Sequence, residues 1–587
     1  MNLSYSTDIA IFGGGIAGLW LLKQLRQEGY QAILIETEAL GGGQTLASQG
    51  IIHGGLKYAL AGNLSGAANV IADMPRRWRQ CLSGSDTMDL RGVKILSEHY
   101  YMWSESSFRS RLKTFLGSKS LQGRVEAVDK SEFPDFFAKA TVAGSLYQLP
   151  DFVIDTESLL QKLVAGQEQH LFQAAEEQVS FQRNDEGSID GFTIDTGQET
   201  ISCQCERVIF AAGEGNASLI TSSGLQGINT QSRPLHMVYL KQAGLPLVYV
   251  HCIGDDFSLT PRLTVTSHAD KDGSTVWYLG GELAESGVGK SEAEQLHNAQ
   301  QVIEDYFPWL DVSAAQWHSF MINRAEASIE GNHRPDNASM VEQDQAIVAF
   351  PTKLTLTPSL ADKVVDHLAT EVAALLQQAK DFGINLLDTA PAYGSSEQRL
   401  GRMLRERDQW IICTKVGEEF LAGSSVYNFD GSYVQKSIER SLRDLKTDYL
   451  DVVLIHSDGR DRYILESTDC VEALQRLKEK GLVRAIGMST KTVEGGIQAV
   501  EAMDVVMVTY HSAATEDEAV IDRAAELNKG VFIKKAMNSG HIGDSEDGAA
   551  KALEFALSKH GVSSVIMGTI NPDHLRANVE VAKNLAG

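Results

Sequence analysis

The residues DIAIFGGGIAGLW, at positions 8–20, decide how the first half of the chain folds. A short apolar strand runs into a G-x-G-x-x-G turn, and a helix is predicted over residues 19–28. Gly13 allows the tight turn, Gly15 lets the backbone approach a pyrophosphate, and Gly18 lets helix and strand pack closely. The stretch therefore predicts the first βαβ unit of a Rossmann-like domain.

A second strand and its terminal acid extend this pattern. Residues 32–35 form an apolar run, and Glu36 follows it with a carboxylate placed to accept hydrogen bonds from an adenosine ribose. Ile16 and Ala17 lie where the helix dipole attracts a pyrophosphate. The combination indicates a dinucleotide-binding site. The alternative is a glycine-rich turn that holds no ligand.

Composition narrows the class of protein. The 587 residues correspond to about three or four domain-sized units. A net charge of −25 argues against a nucleic-acid partner, because nonspecific affinity for the phosphate backbone rests on Lys and Arg. Six cysteines cannot form a disulfide framework, and the spacing of Cys203 and Cys205 does not suit zinc. No apolar run is long enough for a membrane helix, and the first ten residues lack the basic start of a secretory signal, so we expect a cytoplasmic enzyme.

Three later segments resemble FAD-dependent oxidoreductases of the D-amino-acid oxidase and glycerol-3-phosphate dehydrogenase superfamily. GIIHGG at 50–55, within the run 41–58, resembles the segment beside the isoalloxazine ring. VIFAAG at 208–213 resembles the second FAD strand, and FPTKLTLTP at 350–358 resembles the closing segment. The resemblance covers about residues 5–368 and implies FAD as the cofactor. On this resemblance, further FAD contacts are expected at Thr45, Ser48, Gly213, Lys353, Leu354 and Thr355.

The resemblance also suggests where a substrate would bind in the flavin half. His53 is either a base near the flavin or a packing contact against the ring. Arg324 stands where the family often binds a substrate carboxylate or phosphate, a role that suits a guanidinium; the alternative is a surface salt bridge. Arg233 and His236 are further candidates. We expect a small amine or hydroxy acid as substrate, with oxygen or a quinone as the electron acceptor.

The pattern of the chain changes near residue 370. Before it, irregular strands suggest an α+β substrate domain inserted into the FAD-binding domain. After it, apolar strands alternate with helices, which predicts a (β/α) TIM-type barrel. The barrel shows seven recognisable strands where a complete one has eight: 384–390, 410–416, 449–456, 483–489, 505–510, 530–536 and 563–569. The predicted domains are therefore 1–368 and 369–587, joined through a helix over residues 364–380.

Four residues with complementary chemistry follow these strands: Asp388, Tyr393, Lys415 and His456. A tyrosine can protonate the alkoxide left by hydride addition to a carbonyl if an ammonium group lowers its pKa. A carboxylate can hold that lysine, and a histidine can orient the carbonyl. In this order and spacing the four resemble the catalytic tetrad of the aldo-keto reductases, which implies NADPH as a second cofactor.

The same resemblance extends to the nucleotide site of the barrel. Its predicted contacts are Ser489, Tyr510 stacked on the nicotinamide, Lys534, Gly568, Thr569, His574 and Asn578. His574 stands where the family often has Arg, so the NADPH preference is softened. The family's first strand is missing before residue 371. Another segment filling the slot, a different closure, and a homo-oligomer formed through the open edge remain alternatives.

Two functions follow from these patterns. In the first, the chain is a bifunctional redox enzyme: an FAD-dependent oxidase or dehydrogenase fused to an NADPH-dependent carbonyl reductase. In the second, it is an FAD enzyme whose barrel is a catalytically silent docking or oligomerisation module. The tetrad favours the first function, whereas the missing strand favours the second.

Overall fold

The computed structural model describes residues 3–55, 66–105, 125–185, 187–253, 261–328, 337–394, 396–404, 406–421, 424–537, 548–569 and 572–586. The end of the flavin-side segment, residues 56–58, lies outside these ranges. The chain divides into two compact units. The first comprises residues 1–26 and 31–365, and the second comprises residues 27–30 and 366–587. The sequence predicts the boundary at residue 368. Residues 365 and 368 both lie in the helix Thr357–Asp381.

In chain order, the strands of the first unit are β1 (Leu3–Phe12), β2 (Ala32–Glu36), β3 (Ile51–Ile52), β4 (Ile95–Ser97), β5 (Tyr100–Glu105), β6 (Glu126–Ala127), β7 (Gly144–Leu149), β8 (Phe152–Ile154), β9 (Leu171–Gln173), β10 (Val179–Arg183), β11 (Ile189–Asp195), β12 (Thr200–Phe210), β13 (Thr230–Gln242), β14 (Val250–Ile253), β15 (Leu263–Ala269), β16 (Thr275–Gly280), β17 (Gln316–Ala327), β18 (Ser339–Gln343) and β19 (Ala346–Phe350). Its helices are α1 (Ile16–Gln27), α2 (Gly66–Ser83), α3 (Asp135–Ala138), α4 (Thr156–Val164), α5 (Asn216–Ser222), α6 (Glu282–Glu285) and α7 (Glu292–Tyr306).

The nucleotide-binding part is an eight-stranded sheet with β1 at its centre. Its order is β10-β11-β12-β1-β2-β9, with β19 paired to β12 and β18 paired to β19. The pairs β1–β12 and β1–β2 are parallel, which confirms the predicted Rossmann-like arrangement. Because β1, β2 and β12 run in the same direction, their carboxyl ends meet at one edge. The glycine turn, Glu36 and Gly213 lie just beyond that edge.

The predicted inserted α+β domain is a second eight-stranded sheet, in the order β17-β13-β16-β15-β14-β5-β7-β6. One face packs on α7 through a buried core that includes Val238, Trp277, Leu279 and Phe307. Alternation along the strands places another set of residues on the opposite face, which we call the polar face. This set includes Arg233, Tyr239, Tyr278, His318 and Arg324. A small sheet, β3-β8-β4, carries the segment that contains His53.

A long helix, α8 (Thr357–Asp381), connects the units without a break, which confirms the predicted helical join. The second unit then contains β20 (Leu386–Asp388), β21 (Ile411–Val416), β22 (Glu418–Leu421), β23 (Ser424–Tyr427), β24 (Leu450–His456), β25 (Val483–Ser489), β26 (Val505–Thr509), β27 (Gly530–Lys534) and β28 (Ser564–Val565). Its helices are α9 (Ser396–Met403), α10 (Gly431–Asp444), α11 (Asp461–Ser467), α12 (Cys470–Glu479), α13 (Val493–Ala502), α14 (Glu518–Glu526), α15 (Gly548–Ser558) and α16 (Pro572–Ala586).

The main sheet of the second unit confirms the seven predicted strands, in the order β20-β21-β24-β25-β26-β27-β28. Every neighbouring pair is parallel. Within the described part of the chain, β20 and β28 each pair on one side only, so these seven strands form a partial barrel. A β22–β23 hairpin follows β21 outside this sheet.

The six cysteines are all buried and unpaired, as expected. Among the helices of the described ranges, none has the length and apolar content needed to cross a bilayer.

Candidate functional site

The glycine turn after β1 leaves no room for side chains at two positions. A Cβ atom on Gly13 would lie 2.4 Å from the Cα of Ala212, and the residue has φ +113°. A Cβ atom on Gly18 would lie 1.9 Å from the carbonyl oxygen of Gly13. These contacts are far inside van der Waals separation, so both glycines are required for α1 to start this close to β1 and β12.

Gly15 differs, because its side-chain direction is open. A Cβ atom there would approach only Thr45 Oγ1, at 3.4 Å. That hydroxyl accepts a hydrogen bond of 3.0 Å from the backbone N–H of Ile16, and Ser48 Oγ donates to the Thr45 carbonyl at 2.9 Å. The open space therefore lies at the N terminus of α1, where backbone N–H groups and the helix dipole favour an anion. The residues present fit a pyrophosphate.

Glu36 lies beside a cavity of about 160 Å³ at the same edge of the sheet. Its carboxylate accepts hydrogen bonds from the backbone N–H groups of Gly14 and Thr37, which fix its position. Apolar side chains line the cavity together with two glutamates, Glu36 and Glu176, a mixture that suits an adenosine group with its apolar base and ribose hydroxyls. Its lining includes Phe12, Gly13, Ile35, Glu36, Ala174, Phe181, Ala212 and Leu219.

The predicted flavin-side residues come together around Thr355. The backbone N–H of His53 donates to Thr355 Oγ1 at 3.0 Å, and that hydroxyl donates to the carbonyl of Ile51 at 3.3 Å. Thr355 is fully buried and Lys353 nearly so, in the turn before α8. This pairing joins the His53 segment to the closing segment, while the role of the half-buried His53 side chain stays a prediction. Leu354 opens the same turn, and Gly213 begins the turn after β12 with φ +60°.

A carboxyl group that sequence reasoning missed lies next to His53. Asp151 is 3% exposed, and its Oδ1 accepts a 2.8 Å hydrogen bond from the N–H of Gly54. Burial raises the pKa of Asp151 to about 7. No sequence signal marks it, because it is a lone acid in the loop between β7 and β8.

Two of the predicted substrate residues lie directly opposite each other on the polar face. Arg233 of β13 pairs in register with Arg324 of β17. Arg324 Nη2 lies 3.2 Å from Glu285 Oε1, and Arg233 Nη1 lies 3.8 Å from Glu326, whose side chain is fully buried. Two facing guanidinium groups repel each other, and these two carboxylates offset that repulsion. Arg324 thus has the ion pair that was its alternative interpretation, although Glu285 is 37% exposed and can be displaced.

His236, the remaining candidate, has a structural role in this arrangement. Its Nδ1 lies 3.1 Å from the carbonyl of Gly287, and its Nε2 lies 2.9 Å from Ser319 Oγ. Both ring nitrogens are therefore used, and the residue is 5% exposed. Substrate binding by His236, a weaker candidate from the sequence, stays a prediction.

An aromatic group on the polar face was not foreseen. Tyr239 stacks on Tyr278 at 5.9 Å and on His318 at 5.0 Å, between ring centroids. Phe320 lies two residues from His318 on the same face as Arg324. The signal in the sequence was the alternation His318, Phe320, Ile322, Arg324 along one strand.

The second unit assembles the four predicted catalytic side chains at the carboxyl ends of its strands. Lys415 Nζ lies 2.7 Å from both carboxylate oxygens of Asp388 and 4.7 Å from the centre of the Tyr393 ring. Burial acts to lower the pKa of Lys415, but Asp388 and Tyr393 outweigh it, and the pKa lies above its ordinary value. The sequence predicted that Lys415 would lower the pKa of Tyr393. The pKa of Tyr393 is instead raised, because the effect of burial exceeds the opposing effect of the Lys415 charge.

His456 is the fourth member of the group, and it lies beside Glu418, which the sequence did not indicate. Its ring centre lies 6.2 Å from that of Tyr393, edge to face. Its Nδ1 lies 2.7 Å from Glu418 Oε2, a contact without the in-line geometry of a hydrogen bond. The β22–β23 hairpin holds Glu418 through Ser425 Oγ at 2.6 Å and Tyr427 OH at 2.9 Å. Burial lowers the pKa of His456 to about 4, so the imidazole is neutral at pH 7.

The predicted nucleotide contacts of the barrel differ from one another in burial and in their partners. Ser489 is buried, and its Oγ accepts a hydrogen bond from Lys534 Nζ at 2.8 Å. Tyr510 is 4% exposed and stacks on Phe555 at 5.1 Å, so one face of the ring predicted to contact nicotinamide is already covered. Gly568 and His574 are exposed, whereas Thr569 and Asn578 are half-buried. Their binding roles stay predictions.

Comparison with known proteins assigns a family to each unit. The family model described as FAD dependent oxidoreductase matches residues 8–348, and the Aldo/keto reductase family model matches residues 366–547. A probable FAD-dependent oxidoreductase of Pseudomonas aeruginosa is 43% identical over 369 residues, covering 63% of this chain and 92% of the relative. Its crystal structure superposes with a TM-score of 0.54 at 39% identity, with the same coverage of both chains.

The second unit has relatives of its own. A solved protein of Pseudomonas aeruginosa assigned to the aldo-keto reductases is 45% identical, covering 37% of this chain and 85% of that protein, with a TM-score of 0.36. D-threo-aldose 1-dehydrogenase of Pseudomonas sp. is 28% identical over 273 residues, covering 36% of this chain and 83% of that enzyme.

Replacing Gly15 separates ligand binding from folding. Since among the described residues its side-chain direction meets only Thr45, Gly15→Val should fold with the thermal midpoint of FAD-stripped wild-type protein and purify without FAD. Gly43→Val is the matched control, because a Cβ atom on Gly43 meets nothing within 4 Å and lies outside the turn. Flavin absorbance per protein measures the difference. Full flavin content in Gly15→Val would mean that the pyrophosphate binds elsewhere.

Asp151 gives the first unit a pH-dependent stability of unusual sign. Its pKa is about 7 in the folded protein and 3.8 ordinarily, so between these values the folded state binds more protons and stability falls as pH rises. Asp151→Asn keeps an oxygen acceptor for Gly54. It should stabilise the unit by about 2–4 kcal/mol at pH 8 and leave it unchanged near pH 4. Chemical unfolding at both pH values measures this, and destabilisation at pH 8 would contradict it.

Proposed function

We propose that this chain, which belongs to the FAD-dependent oxidoreductase family and carries an aldo-keto reductase domain, is a bifunctional redox enzyme. Its flavin unit oxidises a small amine or hydroxy acid with FAD, and its barrel reduces a carbonyl compound with NADPH. Oxygen or a quinone reoxidises the flavin, and the enzyme acts on small molecules in the cytoplasm. The assembled group of Asp388, Tyr393, Lys415 and His456 is the observation that carries the two-activity reading.

In the flavin unit, the protein's task is to hold the cofactor and orient the substrate. Bound FAD would accept a hydride from the substrate carbon. The Gly13–Gly18 turn and the start of α1 would hold the pyrophosphate, while Glu36 would bind the ribose. Thr45, Ser48 and the turn at residues 353–355 would border the remainder. We assign to His53, which lies next to the Asp151 loop, either the role of base for the substrate proton or that of a packing contact against the ring.

The two arginines of the polar face support a carboxylic acid as the substrate. Arg324 lies on a β-sheet face that also carries Arg233, and its partner is the partly exposed carboxylate of Glu285. A substrate carboxylate would replace that contact with a bidentate one, which is geometrically favoured for arginine. The aromatic group of Tyr239, Tyr278 and His318 provides apolar area on the same face for the remainder of the substrate.

In the barrel, the four side chains divide the work of carbonyl reduction. NADPH would supply the hydride. Tyr393 donates its hydroxyl proton to the forming alkoxide, and its raised pKa keeps that proton available at neutral pH. The buried Lys415–Asp388 pair stabilises the phenolate that remains. Neutral His456, held beside Glu418, donates a hydrogen bond that orients the carbonyl.

The silent-barrel alternative keeps one argument in its favour, which is the one-sided pairing of β20 and β28 in the described residues. A missing strand removes part of the substrate pocket as well as a sheet edge. It does not disturb the four catalytic positions, which all lie on β20, β21, β24 and the loop after β20. We therefore expect turnover with loose substrate preference.

Arg324 tests the acid-substrate proposal. Arg324→Ala should raise KM for an acid substrate by about 30- to 5,000-fold, which corresponds to the 2–5 kcal/mol expected when a buried charge loses its partner. Glu285→Gln is the control, because it removes the competing carboxylate and should lower KM. Steady-state oxidation of a panel of amino and hydroxy acids measures both. An unchanged KM in Arg324→Ala would move the anion contact to Arg233.

Tyr393 tests the reductase and separates it from the silent module. Tyr393→Phe keeps the ring and removes the proton donor, so aldehyde reduction with NADPH should fall by about 10²–10⁴ while NADPH binding survives. Flavin-dependent oxidation by the same variant is the internal control and should be unaffected. A wild-type chain that neither binds NADPH by fluorescence titration nor reduces any aldehyde or aldose would leave the barrel as a docking module.

A further inference from the structure

Two lysines stand at strand ends of the barrel sheet, Lys415 buried and Lys534 half-buried, and within the described residues only Lys415 forms an ion pair with a carboxylate. Lys415 is held by both oxygens of Asp388. Lys534, at the end of β27, donates instead to Ser489 Oγ and to the carbonyl of Thr490, each at 2.8 Å. Among the residues that the structure describes, no carboxylate forms an ion pair with Lys534. Asp517, which attracts it most, accepts a hydrogen bond from the backbone of Thr509.

These contacts accommodate a neutral amine. A neutral amine has two N–H donors and one lone pair, and the two oxygens accept both donors. An ammonium ion would carry a charge that no carboxylate ion pair offsets among the described residues, which is unfavourable at a half-buried site. Lys491 and Lys535 add repulsion. Burial lowers the pKa of Lys534 to about 8, so a substantial neutral fraction exists near neutral pH.

The position of the amine brings it to the catalytic edge. Lys534 reaches past β26 to Ser489 on β25, and Ser489 is the register partner of His456 on β24. Nζ therefore lies on the same strand-end edge as the group proposed to bind a carbonyl oxygen. A lysine with a free lone pair in such a place has the properties of a Schiff-base nucleophile.

We propose that Lys534 is a nucleophilic amine that captures a carbonyl compound as an imine at the barrel's strand ends. The Nζ lone pair forms a bond to the carbonyl carbon while the carbonyl oxygen takes a proton, giving a carbinolamine. The C–O bond then breaks, both nitrogen protons end on that oxygen, and water leaves. Ser489 Oγ, 2.8 Å from Nζ, relays the proton released at nitrogen. No oxidant or reductant takes part.

This activity goes beyond carbonyl reduction and needs no NADPH. It assigns Lys534 a role other than the nucleotide contact expected from its place after β27. A failure of the reductase would therefore leave the imine intact, and a failure of imine formation would leave the reductase untouched.

Reductive trapping tests the proposal on the full chain without NADPH. The protein is incubated with sodium cyanoborohydride and a limiting amount of acetaldehyde at neutral pH, so that labelling stays partial. Ethylated lysines are then mapped by peptide mass spectrometry. Lys534 should be modified at least tenfold faster than exposed lysines. Lys535→Arg is the matched control, because Lys535 is the next residue and is exposed. In this variant, Lys534 should still be ethylated at the fast rate.

Lys534→Arg keeps a donor group near Ser489 and Thr490 but removes the nucleophilic amine. It should retain the wild-type thermal midpoint and lose the fast-labelling site. Modification of Lys534 at the rate of exposed lysines would overturn the proposal, as would fast labelling that maps to Lys415 or Lys535. Should Lys534→Arg unfold, the comparison of rates within the wild-type chain decides the question by itself.

Discussion

The close approach of α1 to the ends of β1 and β12 is the constraint on which the first unit depends. The Gly18 position lies so near the carbonyl of Gly13 that no side chain fits between them, and Gly13 lies too close to Ala212 for a side chain as well. This packing aims the N terminus of α1 at the edge where β2 places Glu36 and β12 places Gly213. One steric condition thus brings a helix dipole, an acid and a small-residue crossing to a single edge, which is what a dinucleotide needs.

The barrel unit uses the same geometry with different chemistry. Its parallel strands deliver Asp388, Lys415, His456, Ser489 and Lys534 to one edge, and local partners decide what each group does. Lys415 keeps its charge because a carboxylate lies against it, whereas within the described residues Lys534 donates its hydrogen bonds to neutral oxygens. Two residues of one type, at equivalent places in one sheet, are therefore expected to be an electrostatic stabiliser and a nucleophile.

Local patterns in the sequence were enough for the fold class, the seven barrel strands and the placing of four reactive side chains at or just after strand ends, since each depends on periodicity and on where a strand ends. Partners supplied by distant segments could not be predicted. Glu418 reaches His456 through a hairpin outside the main sheet, Glu285 reaches Arg324 from the helix after β16, and Asp151 comes from a loop with no signature. The two partners of the His236 ring, Ser319 and Gly287, likewise come from distant parts of the chain, and its role in substrate binding stays a prediction.

The proposed activities are chemically related in a way that explains their presence on one chain. Oxidation of a hydroxy acid gives a keto acid, and oxidation of an amine gives an imine that hydrolyses to a carbonyl compound and a free amine. Carbonyl groups are the substrates of a Tyr–Lys–His–Asp reductase and also the reaction partners of a neutral lysine amine. In the proposed scheme, the flavin unit would therefore make the functional group that the barrel's residues would bind, protonate or capture. A fusion keeps producer and consumer at equal concentration, and this needs no shared pocket, because a carbonyl product can diffuse from the flavin to the barrel.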